Sequence, residues 1–400
     1  MNNKAACSLP RTQAFILAGG QGERLLPLTA NRSKPAIPFG GSSRIIDFTL
    51  SNCLNSKISN VALLTQYRHE ELHRYLQQNW SNLWNERMRN RQHLACLPPA
   101  SGKRYRGTAD AVFQNLPAIY STVPEYVLIL SGDHVYDMDY RELLSRHVET
   151  KADVTIATLE HPIQRASQFG VVEVDKNFRV TGFQEKPEHP AALPLRPDMG
   201  LISMGIYVFS TEILIQALIE NCDRAVGYDF GHHVIPSLIN SSSVYAFDFR
   251  DEVHDSPKYW RDIGTIDSYY EASMDLARGR VSLNVTLTAR SSASVSGGAR
   301  VSHSVLTSGV RIEQGASVEN CVLMPGVRVG RGARLRRAIV EEGVQIPCDL
   351  EVGWDSERDR NHHTVSRSGI VIVTETPTAS KPIPFSFQTT QALRAARTVA

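Results

Sequence analysis

Hydrophobic and polar positions in this chain follow two different periods, and the change of period divides it. Over the first two-thirds, short apolar runs end in glycine and lead into stretches of helical spacing. Ala14–Leu17 runs into Gly19-Gly20, Tyr126–Leu130 runs towards Gly132-Asp133, and Val61–Leu64 is a third run of the kind. Such runs predict the buried strands of a mostly parallel sheet. Asp47 is placed to cap a helix reaching Ser56, and Asp139 with Glu142 has capping-box spacing ahead of Leu143-Leu144. Val171–Val174 and Val180–Phe183, on either side of Lys176-Asn177, predict a hairpin. Met204–Phe209 and Val244–Phe249 predict later strands. The pattern is α/β.

From about Val281 the helical spacing stops, and Val, Ser and Gly dominate. Leu306, Leu323 and Val340 stand 17 residues apart. So do Gly309, Gly326 and Gly343, Ile312, Val329 and Ile346, and Val318, Leu335 and Val352. Within one turn, apolar steps of 6, 6 and 5 residues lead from Leu306 to Ile312, Val318 and Leu323. Three short strands per turn, each sending an apolar side chain inward, predict a triangular parallel β-helix built on hexapeptides. Thr376–Phe387 reads as a linker and Gln391–Ala400 as a short helix. The predicted division is 11–278, 279–375 and a tail, 376–400.

Composition removes several classes of function. A chain of 400 residues, 42% hydrophobic and 21% charged, can build sizeable cores. Its 43 Lys+Arg and 41 Asp+Glu leave a net charge of +2, which offers no basic stripe for nucleic acid. No run reaches the roughly 18 apolar residues of a membrane helix, and the stretch to Gln13 lacks the apolar segment of a secretory signal. Six cysteines, Cys7, Cys53, Cys96, Cys222, Cys321 and Cys348, form no CxxC pair and read as reduced thiols of a cytoplasmic protein.

The chemistry clusters around the first strand. Gly19, Gly20 and Gly22 would let backbone N–H groups approach a phosphate, and Arg24 and Lys34 would supply charge to it. The loop is neither GxGxxG nor a P-loop. Asp133, at the end of an apolar strand, lies where open α/β sheets place ligands. His69–His73 fits the zinc-protease spacing HExxH, but Leu72, Leu76 and Trp80 make it an ordinary amphipathic helix. Asp137 and Asp139 form a DxD in which Asp139 reads as a helix cap.

Ala18-Gly19-Gly20-x-Gly22-x-Arg24-Leu25 with Lys34-Pro35 resembles the signature of the sugar-1-phosphate nucleotidyltransferases. Arg44–Phe48, Ser51-Asn52-Cys53, Thr65-Gln66-Tyr67, Tyr105–Ala111, Ser131–His134, Glu185-Lys186-Pro187, Ser203-Met204-Gly205, Asp229-Phe230-Gly231 and Tyr259–Thr265 narrow the resemblance. They point to the bacterial glucose-1-phosphate adenylyltransferases, over roughly Thr12 to Thr374. That resemblance implies a Rossmann-like nucleotidyltransferase domain followed by a left-handed β-helix, and transfer of an adenylyl group from ATP to glucose 1-phosphate for glycogen synthesis. It implies Mg²⁺ held by Asp133 and Asp262, with Arg24, Lys34 and Lys186 as further catalytic residues. Gly19, Gly20, Gly22, Gly107, Thr108 and Asp110 fall on the nucleotide side. Tyr105, Gly170, Glu185, Lys186, Ser203, Asp229, Phe230 and Trp260 fall on the sugar side. A homotetramer responding to effectors such as sugar phosphates, AMP or phosphate is also implied. Alternatives from the residues are another sugar phosphate or nucleotide, or a non-catalytic regulatory subunit. Three departures from the family pattern predict weakened or altered regulation: Asn31 in place of a basic residue, a short loop from Leu97 to Tyr105, and a short connection from Ala277 to Val295.

Overall fold

In the computed structural model the described residues are 10–88, 94–194, 196–224, 227–251, 253–281, 283–287 and 292–377. Cys7 and the helix predicted at Gln391–Ala400 lie outside them. The first part of the chain folds as an α/β domain around a nine-stranded sheet. Its strands are β1 (Thr12–Ala18), β2 (Asn60–Thr65), β3 (Leu94–Leu97), β4 (Tyr126–Ser131), β6 (Val154–Pro162), β7 (Gly170–Val174), β8 (Val180–Glu185), β9 (Met199–Ser210) and β10 (Val244–Asp248). A short strand β5 (His134–Tyr136) stands outside this sheet. The order is β8-β7-β9-β4-β1-β2-β3, with β6 also on β9 and β10 on β6. Strands β3, β2, β1 and β4 run parallel, whereas β9 is antiparallel to β4, β6 and β7. The sheet is therefore mixed rather than mostly parallel. Ala14, Ile16 and Ala18 enter the core on one face and Phe15 the core on the other, so central strands are apolar throughout in either orientation.

The predicted hairpin is β7–β8, turned at Asp175, whose side chain accepts the Asn177 and Arg179 N–H groups. The strand predicted at Met204–Phe209 is longer, twelve residues in β9, and its register with β6 breaks between Ser203 and Tyr207. Gly205, at φ 65°, turns the chain there.

The helices of this domain include α1 (Ile46–Asn55), α2 (His69–Asn79), α3 (Thr108–Gln114), α4 (Tyr140–Glu149), α5 (Thr211–Arg224) and α6 (Ile266–Ala277). Leu72, Leu76 and Trp80 bury the inner face of α2, and the His73 ring shares a hydrogen bond with Thr65 Oγ1 at 2.8 Å, as expected of a packing helix. Asp139 caps α4 by accepting the Arg141 N–H at 3.0 Å. Asp47 is not the cap of α1, because the helix starts one residue earlier and buries it. Its carboxylate accepts Tyr75 Oη at 2.5 Å, the Arg44 N–H at 2.7 Å and Trp80 Nε1 at 2.7 Å. Arg44 in turn donates to Ala36 O at 3.0 Å and pairs with Glu71.

The rest of the chain winds three parallel sheets on the predicted 17-residue register. Leu306 pairs with Leu323 and Leu323 with Val340. Ile312, Val329 and Ile346 line up in the second sheet and Val318, Leu335 and Val352 in the third. Gly309, Gly326 and Gly343 repeat one turn conformation, each at φ 74°. The repeat ends after Val352. A helix α7 (Ser356–His362), capped by Asp355, is inserted there, and Ile372 rather than a residue 17 positions on pairs with Ile339. Leu25, Leu28, Ile37 and Phe39 share one core with Val322, Met324, Ile339 and Ile372, so the two parts of the molecule are joined by apolar packing. No described helix is long and apolar enough to cross a membrane.

Burial pushes the Asp47 carboxyl from its ordinary value of 3.8 up to about 6, against hydrogen bonds from Tyr75, Arg44 and Trp80. A group with a raised folded value contributes stability that is full below pH 3.8 and is lost as pH rises through 6. The stability difference between the native protein and Asp47→Asn should therefore shift by about 3 kcal/mol between pH 3.5 and 7, to the disadvantage of the native carboxylate at neutral pH. Urea unfolding across that range measures it, and a difference independent of pH would contradict the burial argument.

Candidate active site

The carboxyl ends of β1, β2 and β4 open on one edge of the sheet. Here β1 gives way to Gly19–Gly22 and then to two single 3₁₀ turns, Glu23–Leu25 and Lys34–Ala36. At the end of β4 the chain turns through Gly132, where an added Cβ would lie 3.0 Å from Ile16 Cγ2 and 3.2 Å from Leu17 O. It then enters β5, which pairs antiparallel with β11 (Trp260–Asp262), Asp262 standing opposite His134. That ladder brings Asp262 alongside Asp133, across more than a hundred residues of sequence.

Lys34 Nζ lies between these two carboxylates, 2.7 Å from Asp133 Oδ2 and 3.0 Å from Asp262 Oδ1. His134 Nε2 stands 3.5 Å from Asp133 Oδ1 and 3.8 Å from Asp262 Oδ1. Among the described residues this is the one group of three metal-ligating side chains that converge. Burial alone would lower the Lys34 ammonium, but Asp133 and Asp262 together outweigh it and hold it above its usual range. Burial would raise the Asp133 carboxyl, but Lys34 and then His134 hold it below the usual carboxylate range. Both groups are therefore charged at neutral pH.

Several cavities meet at this cluster, and three of them are lined by most of the residues singled out in the sequence. The first, of ≈ 230 Å³, is lined by Gly170, Glu185, Lys186, Ser203, Asp229, Trp260 and Asp262, among others. The second, of ≈ 330 Å³, is lined by Gly19, Gly20, Gln66, Tyr105, Arg106, Gly107 and Asp133, with Thr108 shared with the first. The third, of ≈ 490 Å³, runs over Gly20, Gly22, Arg24, Lys34 and Asp133. Leu17, at the end of β1, lines all three.

The wall between the first two is tightly knitted. Thr108 Oγ1 donates to Asp229 Oδ2 and accepts the Phe230 N–H, both at 3.0 Å. The other oxygen of Asp229 caps the turn that follows, accepting the Gly231 and His232 N–H groups at 2.9 and 3.0 Å. Gly107 abuts the Tyr228 carbonyl so closely that a Cβ would stand 2.3 Å from it. In the first cavity, Lys186 extends from the end of β8 at φ 49° and pairs with Glu185 at 3.0 Å.

Residues 13–279 match the family described as Nucleotidyl transferase, and residues 278–373 match the GlmU-like, C-terminal hexapeptide family. The chain belongs to the nucleotidyl transferase family. Similar proteins include the glucose-1-phosphate adenylyltransferase of Hydrogenovibrio crunogenus, 49% identical over 284 residues that cover 70% of this chain and 67% of that protein. The glucose-1-phosphate adenylyltransferase of Nitrosomonas europaea is 42% identical over 402 residues, covering 91% of this chain and 92% of that protein. Glucose-1-phosphate adenylyltransferase 2 of Vibrio cholerae is 40% identical over 400 residues, covering 91% and 98%.

The nucleotidyl transferase domain gathers most of the residues singled out in the sequence, and two of them, Tyr105 and Asp110, stand elsewhere than expected. Tyr105, expected on the sugar side, lines the second cavity with Gly19 and Gly20, its Oη donating to Leu97 O at 2.9 Å. Asp110 lies behind the wall. Its buried carboxylate holds Arg106 through the main chain at 2.9 Å and the guanidinium at 2.6 Å, and accepts Gln114 at 2.7 Å. Arg106 itself lines the cavity and stacks 3.8 Å over the Tyr228 ring. Phe230 is a core residue, 2% exposed and packed against Tyr207 and Phe209, with one edge on the first cavity. Trp260 is also buried, and its indole N–H has no partner among the described residues.

Sequence reasoning passed over His134 and Arg106, which adjoin residues it chose, and Arg32, which is buried against the β-helix. Position beside Asp133 was a usable signal for His134. Gly107→Ala tests the wall, because the Cβ must force apart two backbone segments. We expect a loss of about 1–3 kcal/mol in unfolding free energy and weaker nucleotide binding by calorimetry; native stability with native affinity would show that the wall yields.

Proposed function

We propose that this chain is a glucose-1-phosphate adenylyltransferase, converting ATP and α-glucose 1-phosphate to ADP-glucose and pyrophosphate. The observation that carries the reading is Lys34 between Asp133 and Asp262, at the meeting point of three cavities. It occurs in a chain aligned along nearly its whole length with proteins of that name. The second cavity receives the nucleoside of ATP against Gly19, Gly20, Gly107 and Thr108. The third receives its phosphates over Gly22, Arg24 and Lys34. The first receives the sugar, with Glu185 and Ser203 towards its hydroxyls and Lys186 towards its phosphate. Gly170 lets Phe183 and the Glu185 carboxylate pack against the strand beside this cavity, since a Cβ there would lie 2.6 Å from Phe183 Cζ and 2.9 Å from Glu185 Oε2.

The sugar phosphate is already an anion, so the attack on the α-phosphorus needs no general base. What opposes it is repulsion between two polyanions. Fixed cations offset that repulsion: Lys34 is held charged between its carboxylates, and Arg24 has no carboxylate partner among the described residues, so it is free for phosphate. The position between the two carboxylates, filled by Lys34 Nζ in this structure, would also suit a magnesium ion in the ammonium's place, since magnesium takes one or two carboxylates and leaves other positions to water and phosphate. Asp133 and Asp262 would hold it, and when bound it supplies charge neutralisation and alignment of phosphate oxygens.

We further propose a cytoplasmic homotetramer supplying α-glucan (glycogen) synthesis. Regulation by effectors such as sugar phosphates, AMP or phosphate is weakened or altered, because Asn31 is uncharged and neighbouring Arg32 is already engaged by Glu341 and Glu342.

A pyrophosphate-release screen over nucleoside triphosphates and sugar 1-phosphates should show ATP with glucose 1-phosphate as the preferred pair, and adding effectors should raise the rate only a few-fold. Activity on no pairing would reject the enzyme reading in favour of a non-catalytic subunit. Preference for another pair would reassign the substrates, and strong activation at micromolar effector would reject the regulatory reading. Asp133→Ala should lower kcat/KM on the order of a thousandfold, about 4 kcal/mol of transition-state stabilisation. A folded variant losing tenfold or less would remove Asp133 from its assigned place.

A further inference from the structure

The segment that presents Arg24 and Lys34 rests on the β-helix. Leu25, Leu28, Ile37 and Phe39 pack on Val322, Met324, Ile339 and Ile372. A buried ion pair crosses this apolar seam beside Lys34. Arg32 is 9% exposed, and its guanidinium pairs with Glu341 at 3.4 Å and Glu342 at 3.5 Å. Both glutamates follow the β-helix strand Ala338–Val340, and the Glu341 main chain is fixed by donation to Val373 O at 2.9 Å. Burial pushes the Glu341 carboxyl up, Arg32 pulls it down, and Glu342 and Glu71 add repulsion, so the acidic group depends on Arg32 for its charge balance.

Arg32 precedes Lys34 by two residues. Ser33 is extended, and Lys34-Pro35-Ala36 forms one 3₁₀ turn. On the far side of Lys34, the Ala36 carbonyl is held by Arg44 at 3.0 Å. The turn is thus pinned at both ends, by Arg32 to the β-helix and by Ala36 to Arg44. Between the pins, Lys34 Nζ must meet two carboxylates at 2.7 and 3.0 Å. Placement errors of about 1 Å in such groups cost on the order of a hundredfold in rate.

We propose that Arg32 is a positioning residue whose ion pairs with Glu341 and Glu342 fix the turn that presents Lys34, making the β-helix a structural part of the active site. This rests on the reading of Lys34 as a member of the catalytic machinery.

The test is a double-variant cycle on the full-length protein, assayed with ATP and glucose 1-phosphate. Arg32→Met should lower kcat on the order of 10- to 100-fold while each KM changes less than threefold. Glu341→Gln/Glu342→Gln should do the same from the other side of the seam, which keeps the test alive if Arg32→Met does not fold. Arg32→Lys should recover most of the rate. In a Lys34→Ala background, Arg32→Met should cost less than a further threefold, because the residue it positions is gone. Full multiplication of the two losses, or native kcat in both seam variants, would overturn the proposal. Those outcomes presuppose an active parent protein; an inactive parent would instead strike down the function proposed above.

Discussion

The site depends on holding like charges together. Two carboxylates, Asp133 in the turn before β5 and Asp262 at the end of β11, are brought together by a short antiparallel ladder, and a lysine ammonium makes that arrangement stable in a half-enclosed place. Remove the ammonium, and the carboxylates repel; remove the ladder, and Asp262 has no reason to approach Asp133. Much of the surrounding fold serves this one juxtaposition. Gly132 lets β4 turn without striking Ile16, the break in β9 brings Gly205 against Ser131, whose hydroxyl donates to the Gly205 carbonyl at 3.4 Å, and the packing of Leu25 and Ile37 carries the lysine-bearing segment to the same point.

The same economy appears in the cavity walls. Asp229, Thr108 and Gly107 spend their polar groups on one another and on the backbone, so a thin partition separates the first cavity from the second. Asp110 keeps Arg106 in place in the same manner. Residues that resemble ligand contacts by motif thus divide into those that face the cavities and those that brace the ones that do.

Which parts were legible in the sequence follows from the range of the forces involved. The 17-residue register of the β-helix was readable because every coil repeats the same local requirement, an inward apolar residue and a turn glycine at positive φ. The insertion of α7 was not, since about two helical turns leave no periodic trace. Asp133 was readable from its place after an apolar strand, and Asp262 only through a family motif, because its partner is set by tertiary pairing. The mixed orientation of the sheet escaped prediction because β7 and β9 are buried on both faces, as parallel strands are. Arg32 gave no signal at all: a lone cation in a loop reads as solvated, and its partners stand in a different domain.

The seam between Arg32 and Glu341 closes over 309 residues of chain. Synthesis proceeds from the amino terminus, so the loop bearing Lys34 emerges long before the coils it rests on. Its apolar underside, Leu25, Leu28 and Ile37, stays only partly covered until residues beyond Ile339 have left the ribosome. Maturation of the catalytic edge is therefore a late event, timed by the last coils to be made.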